Sequence, residues 1–118
     1  MKGSDPHADL PIARAGPAPE EARATLILLH GRGATSESIL RLYDLLDLPD
    51  IAAIAPQAAG HTWYPHSFLA PIEVNQPYLD SALRLLESMV VDLQARAIAA
   101  ERVALLGFSQ GACLTCEL

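Results

Sequence analysis

The sequence is poor in basic and aromatic residues. Of its 118 residues, 8 are Lys or Arg and 14 are Asp or Glu, which gives a formal net charge of −6. Sequence-independent binding to nucleic acid needs clustered Lys and Arg, so we expect no nucleic-acid partner. Aromatic residues make up 5% of the chain against 51% for all hydrophobic types, so the core must be built from Ala, Leu, Ile and Val.

The sequence also lacks a long apolar run. No stretch approaches the ~20 residues that a membrane-spanning helix needs. The first seven residues contain one lysine and no apolar segment of the kind found in a secretory signal peptide. We therefore expect no transmembrane segment and a cytoplasmic location.

Cysteine is scarce, and the two cysteines, Cys113 and Cys116, have C-x-x-C spacing. A zinc site would need about four ligands, but no second pair is present. The histidines show no paired spacing either; they are His7, His30, His61 and His66. We predict no metal site and two reduced thiols packed inward on one helix; a thiol-redox module is the alternative.

The distribution of Pro and Gly divides the chain into two parts. Residues 1–22 are rich in Pro, Ala and Gly, which predicts an N-terminal tail with a short edge strand over residues 10–15. Residues 23–118 carry periodic apolar segments and are predicted to form one domain portion. Continuous apolar runs at residues 24–29, 51–55 and 103–106 are typical of strands covered on both faces.

Helical patterns alternate with these strands. Residues 35–47 repeat apolar positions at helical spacing after a Thr or Ser cap, and a further helix should start at Gln110. The intervening helix carries one apolar stripe made of Leu79, Ala82, Leu83, Leu86, Val90, Leu93 and Ala97. The alternation predicts an α/β fold with a parallel sheet of about three strands and flanking helices, in which residues 24–29 form the middle strand.

The motif Gly107-Phe108-Ser109-Gln110-Gly111 follows the last predicted strand and opens the last helix. This is the context that a G-x-S-x-G nucleophile elbow requires. The chain must turn so sharply there that larger side chains at the two glycine positions would collide. We predict that Ser109 is a nucleophile; an ordinary glycine-rich turn is the alternative.

Acyl transfer also needs hydrogen-bond donors for the developing oxyanion. One would be the backbone N–H of Gln110, directly after the nucleophile. The loop His30-Gly31-Arg32-Gly33 follows the first strand of the unit, and we assign the second donor to the N–H of Arg32. This loop lacks the third glycine of a dinucleotide fingerprint and the Gly-Lys-Ser/Thr of a phosphate loop, so no cofactor is expected. His30 is predicted to fix the loop.

Three segments, "LILLHGRGAT", "IAPQAAGHTWYP" and "VALLGFSQGACL", resemble in order and spacing the phospholipase/carboxylesterase family of α/β-hydrolases, which includes bacterial carboxylesterases and acyl-protein thioesterases. The resemblance implies that Ser109 is the nucleophile of a serine carboxylester hydrolase acting on a small-molecule ester. It also implies an oxyanion hole formed by Arg32 and Gln110. Residues expected at the substrate are His30, Gly31, Gly33, Trp63, Tyr64 and Phe108. For Trp63 and Tyr64 the alternative is that they cover the edge of the core.

In this fold the triad follows the order Ser, then Asp or Glu, then His. No histidine follows Ser109, so we expect the N-terminal portion of a truncated α/β-hydrolase. The alternative function is a catalytically inactive fragment or pseudoenzyme that acts at most through association. Either would leave a sheet edge exposed, at which we expect a homo-oligomer to form.

Overall fold

A mixed sheet of four strands lies between helices on both of its faces. The computed structural model describes residues 5–117. Its strands are β1 (Ile12–Ala15), β2 (Ala24–Leu29), β3 (Ile51–Pro56) and β4 (Val103–Gly107), arranged in the order β1-β3-β2-β4. Its helices are α1 (Ser36–Leu46), α2 (Tyr78–Ala95) and α3 (Gln110–Glu117). Short 3₁₀ turns occur at Ala59–His61, Ile72–Asn75 and Ala100–Arg102.

Strand β2 is the middle strand of the parallel part of the sheet. It pairs in parallel with β3 on one side and β4 on the other, so that Leu26 lies opposite both Ala53 and Ala104. The α/β class and the three parallel strands predicted from the sequence are thus confirmed. Strand β1 adds a fourth strand, antiparallel to β3, and this makes the sheet mixed.

The side chains of β2 alternate between two cores, because successive residues of a strand point to opposite faces. Ile27 and Leu29 pack with α2 and α3, whereas Leu28 packs with α1. All three side chains are fully buried. The continuous apolar run therefore reflects a strand covered on both faces, as predicted.

Helix boundaries follow local capping chemistry. Helix α1 begins after Thr35, whose hydroxyl accepts the Ser38 N–H at 3.1 Å, and it ends at Asp47 with a left-handed φ of 53°. The predicted span 35–47 is confirmed. The prediction that Ala97 continues the α2 stripe is wrong: α2 ends at Ala95, and Ala97 has a φ of 64° in the turn that follows.

Part of the segment predicted as a tail is anchored in the fold. Residues 12–15 form β1, which agrees with the predicted edge strand. His7 is completely buried, and its backbone N–H donates to Ser81 Oγ at 3.0 Å. The Ser81 hydroxyl in turn donates to the carboxylate of Asp5. The boundary between residues 22 and 23 stays a prediction.

Strand β4 pairs on one side only within residues 5–117. Its side chains are half-buried, and Ala104 is exposed. An unpaired edge of this kind presents free backbone donors and acceptors, and a homo-oligomer at this edge stays a prediction. None of the helices described is long and apolar enough to cross a membrane.

Candidate active site

Ser109 lies in a tight turn between β4 and α3. Its φ is 56°, in the left-handed region that L-residues with a side chain rarely adopt. The following residue, Gln110, opens α3. The serine side chain is exposed at the N-terminus of this helix, as the G-x-S-x-G motif predicts for an elbow.

The two glycines of the motif are required by close backbone contacts. A Cβ on Gly107 would collide with backbone atoms of Gly111 and Ala112. A Cβ on Gly111 would collide with the carbonyl of Leu29 and with the His30 oxygen, which lies 2.8 Å away. The predicted steric role is therefore seen, and at Gly111 the obstacle is the end of β2.

The loop after β2 lies directly against the elbow. The Phe108 N–H donates to Leu29 O at 3.1 Å. A Cβ on Gly31 would lie 3.3 Å from the Cβ of Ser109 and 3.1 Å from the Phe108 oxygen. Gly33 has a φ of 79°. The backbone of this loop thus lies close to the serine, and a side chain on Gly31 would make a tight contact there.

Two backbone N–H groups at this junction have no hydrogen-bond acceptor within residues 5–117. Gln110 is the first residue of α3, so its N–H has no acceptor within the helix. The N–H of Arg32 has no hydrogen-bond acceptor among the residues that the structure describes. These are the two donors that the sequence assigns to an oxyanion hole.

A cavity of about 300 Å³ opens beside Ser109. It is lined by Arg32, Tyr64, Ser67, Phe68, Ser109, Gln110 and Cys113. Sequence reasoning missed Ser67 and Phe68, because the segment around them has no periodicity and no motif. A second cavity of about 300 Å³ is mainly apolar and includes His30, Gly31, Ile39, Leu42 and Phe108. Three loops that are distant in the sequence therefore meet at the carboxyl ends of the strands.

Trp63 is buried and does not line the first cavity. Its side chain is fully buried, its ring stacks on that of His30 at 5.0 Å, and its Nε1–H donates to His30 O at 2.9 Å. Tyr64 also lies within the buried part of the loop but reaches the cavity wall. Burial raises the pKa of Tyr64, so its hydroxyl stays protonated at neutral pH.

His30 fixes two loops through both ring nitrogens. Its Nε2 accepts the Ala58 N–H at 3.0 Å, so the proton is on Nδ1, which donates to Gly31 O at 2.7 Å. Burial lowers the pKa of His30, and the hydrogen bond to Gly31 opposes this in part. These contacts agree with the loop-fixing role predicted for His30.

His7 also contacts Trp63, which no motif in the sequence indicated. Its Nδ1 accepts the Ala59 N–H at 3.0 Å, and its Nε2–H donates to Trp63 O at 2.6 Å. The rings of His7 and Trp63 are 5.3 Å apart. Burial lowers the pKa of His7, which favours the neutral form that these contacts need.

The cysteines lie on α3 as free thiols. Cys113 is half-buried and Cys116 is exposed, so the prediction that both pack inward is wrong for Cys116. The reason is that α3 packs on the sheet through Gly111 and Leu114, which leaves Cys116 on the solvent side. Within residues 5–117 no three His, Cys, Asp or Glu side chains form a group that could hold a metal ion.

Neither nearby histidine lines the cavity beside Ser109. His61 Nδ1 donates to Ala34 O at 2.9 Å, and the backbone N–H of His66 donates to Asn75 Oδ1 at 2.7 Å. No histidine is therefore among the described residues that line this cavity.

The sheet order and the helices that connect its parallel strands define the α/β-hydrolase class. The crystal structure of a phospholipase/carboxylesterase from Dyadobacter fermentans matches 94% of this chain and 53% of its own, with a TM-score of 0.89 and 45% identity. The crystal structure of esterase PE8 matches 88% of this chain and 54% of its own, with a TM-score of 0.70 and 23% identity. Acyl-protein thioesterase 2 from Zea mays matches 89% of this chain and 48% of its own, with a TM-score of 0.63 and 22% identity.

The sequence profile of the phospholipase/carboxylesterase family matches residues 12–118. The chain belongs to this family. No curated protein gives a significant match. The chain spans about half the length of the solved structures that it matches.

Proposed function

We propose that the chain supplies the nucleophile and the oxyanion hole of a serine carboxylester hydrolase. Ser109 is the nucleophile, and the backbone N–H groups of Arg32 and Gln110 stabilise the oxyanion. The observation that carries the proposal is the strained turn: Ser109 has a left-handed backbone at a helix N-terminus, between two glycines at which a Cβ would collide with backbone atoms.

In the proposed reaction, Ser109 Oγ attacks the carbonyl carbon of the ester and its proton passes to a base. Negative charge develops on the carbonyl oxygen, and the two amides offset it. In a serine protease of a different fold, loss of one such donor costs about 10²–10³-fold in rate. The intermediate collapses to an acyl-enzyme as the base returns the proton to the leaving alkoxide, which departs as the alcohol. The base then takes a proton from water, which attacks the acyl carbonyl, and Ser109 regains its proton as the acid leaves.

The base of this reaction is proposed to come from polypeptide outside the given sequence. In this fold the acid and the histidine follow the nucleophile, and His7, His30, His61 and His66 all precede Ser109. By itself the chain is then a very slow catalyst, which corresponds to the inactive-fragment alternative. This alternative is favoured by the absence of any histidine side chain from the wall of the described cavity beside Ser109.

The substrate proposed is a small or medium acyl ester or thioester. The cavity beside Ser109 measures about 300 Å³ and has Tyr64 and Phe68 on its walls, which suits a short acyl chain. Gly31, Phe108 and His30 line the neighbouring apolar cavity, and Trp63 stacks on His30. We propose that these residues, together with Gly33, border the substrate from that side. The chemistry needs no cofactor, and we place it in the cytoplasm.

The test compares nitrophenyl acetate hydrolysis by this chain and by a longer chain that adds the remaining strands, for example the second half of the Dyadobacter protein. Each is measured with Ser109 and with Ser109→Ala. We expect slow hydrolysis by the short chain, little changed by Ser109→Ala, because loss of one triad member already removes almost all of the contribution of the triad. The longer chain should be faster by several orders of magnitude and should depend on Ser109.

Two results would contradict this proposal. If Ser109→Ala leaves the longer chain active, Ser109 is not the nucleophile. If the short chain is fast and Ser109→Ala abolishes its activity, then His61, His66 or a partner chain supplies the base, and replacing each histidine in turn identifies it.

A further inference from the structure

The side chain of Arg32 forms hydrogen bonds with the segment of residues 62–66, here called the aromatic loop. The guanidinium Nη1 donates to Thr62 Oγ1 at 3.0 Å and to Pro65 O at 3.1 Å. Its Nη2 donates to His66 O at 3.2 Å. Three contacts therefore join the β2 loop to the aromatic loop.

The side chain of Gln110, at the start of α3, forms hydrogen bonds with the same loop. Its Oε1 accepts the Trp63 N–H at 2.8 Å. Its Nε2 donates to Tyr64 O at 2.9 Å and to Thr62 Oγ1 at 3.1 Å. Gln110, Trp63 and Tyr64 are buried, so the hydrogen bonds to the Trp63 N–H and the Tyr64 oxygen are shielded from solvent, whereas the one to Thr62 is part-buried.

The hydroxyl of Thr62 is the one group that both side chains contact. It accepts from Arg32 Nη1 and from Gln110 Nε2, and its own hydrogen is directed to Tyr64 O at 2.8 Å. A contact to Gln110 Oε1 is longer, at 3.3 Å. One donor and two acceptor positions are all that a hydroxyl has, so every hydrogen-bonding position of Thr62 is used.

We propose that Thr62 is a positioning residue that sets the relative placement of the two oxyanion-hole amides by linking the side chains of Arg32 and Gln110. This inference rests on the proposed function. The two amides belong to different elements, the loop after β2 and the start of α3, and a productive site must hold such groups within about 0.5 Å. The hydroxyl of Thr62 supplies a direct bridge between them.

The test uses backbone amide NMR of the chain as given, because it does not depend on turnover. Thr62→Val keeps the shape and removes the hydroxyl, whereas Thr62→Ser retains it. Thr115→Val is the matched control, since the Thr115 hydroxyl donates only to Ala112 O on α3. We expect Thr62→Val to cause microsecond-to-millisecond broadening of both the Arg32 and the Gln110 amide signals. Thr62→Ser and Thr115→Val should leave them unchanged.

A purely local role for Thr62 predicts a different result. Broadening confined to the aromatic loop, or at only one of the two amides, overturns the proposal, as does equal broadening in Thr62→Ser. Should Thr62→Val fail to fold, Arg32→Met breaks the same bridge from its exposed end and keeps the backbone amide. Broadening of the Gln110 amide is then expected, and its absence overturns the proposal.

Hydrolysis by the longer chain separates this inference from the proposed function. Thr62→Val should lower kcat about tenfold with KM unchanged, less than the loss of a whole donor, because both amides remain present. Thr62→Ser should restore the rate. If Ser109→Ala leaves that chain active, the proposed function fails, while the NMR result still decides whether Thr62 links the two amides.

Discussion

Replacing Gly111 by Ala should destabilise the fold, although helix propensity alone predicts the opposite. Gly111 is the second residue of α3, and exchanging Gly for Ala within a helix is worth up to about 1 kcal/mol in favour of Ala. The added Cβ, however, would collide with the carbonyl of Leu29 and with the backbone of His30. These atoms end the central strand and cannot rotate away.

The two effects can be compared in magnitude. Forcing extra atoms into a packed site costs about 1–3 kcal/mol, and rigid backbone on the opposing side places this case near the upper limit. Subtracting the gain in propensity leaves a net loss of about 2 kcal/mol in the free energy of unfolding. The control is Ala112→Gly at the next position of α3, where the reverse exchange should cost about 1 kcal/mol because propensity acts there without the collision.

Urea denaturation followed by circular dichroism measures both variants, with the free energy of unfolding taken from the linear extrapolation. Glycine should thus be the more stable residue at position 111, and alanine the more stable residue at position 112. A Gly111→Ala protein as stable as the original, or more stable, would refute the argument that close contact between α3 and β2 fixes the elbow.

Two further predictions concern acid stability and the core. Burial lowers the pKa of both His7 and His30 below their ordinary value of 6.5. At acidic pH the unfolded chain therefore binds protons that the folded chain does not. The free energy of unfolding should keep its full value above pH 6.5 and should decrease as the pH falls from 6.5 toward the lowered pKa values. His7→Asn should make this pH dependence shallower in urea titrations at several pH values, and an unchanged slope would contradict the assignment. Leu86→Ala should lower the free energy of unfolding by about 2–5 kcal/mol, because this side chain is fully buried. Leu45→Ala should change it by no more than about 0.5 kcal/mol, because this side chain is 82% exposed. Similar losses in the two variants would contradict the core assignment.

Features with strong local signals could be predicted from the sequence. The apolar run of β2, the Thr35 cap of α1 and the glycines around Ser109 each act through neighbouring residues, and the structure places all three as expected. The convergence of Arg32 with Ser109 also followed, because both come after the carboxyl ends of parallel strands.

Features that depend on long-range contacts could not be predicted. The burial of His7 depends on Ser81 and Trp63, which are far away in the sequence. Ala97 continues the apolar spacing of α2, and nothing nearby in the sequence shows that the chain turns left-handed there. The bridge through Thr62 likewise exists only because two separate elements meet at the aromatic loop.

Trp63 is the single tryptophan of the chain, and its contacts with two imidazoles make it an intrinsic fluorescence probe. The centre of its ring lies 5.3 Å from that of His7 and 5.0 Å from that of His30. A protonated imidazole quenches indole emission by accepting an electron from the excited ring, so the fluorescence of the unlabelled protein follows the charge on these two side chains. The same emission shifts to longer wavelength when water reaches the indole. In one emission spectrum, a loss of intensity therefore reports protonation of the histidines, whereas a shift to longer wavelength reports detachment of the segment that carries His7.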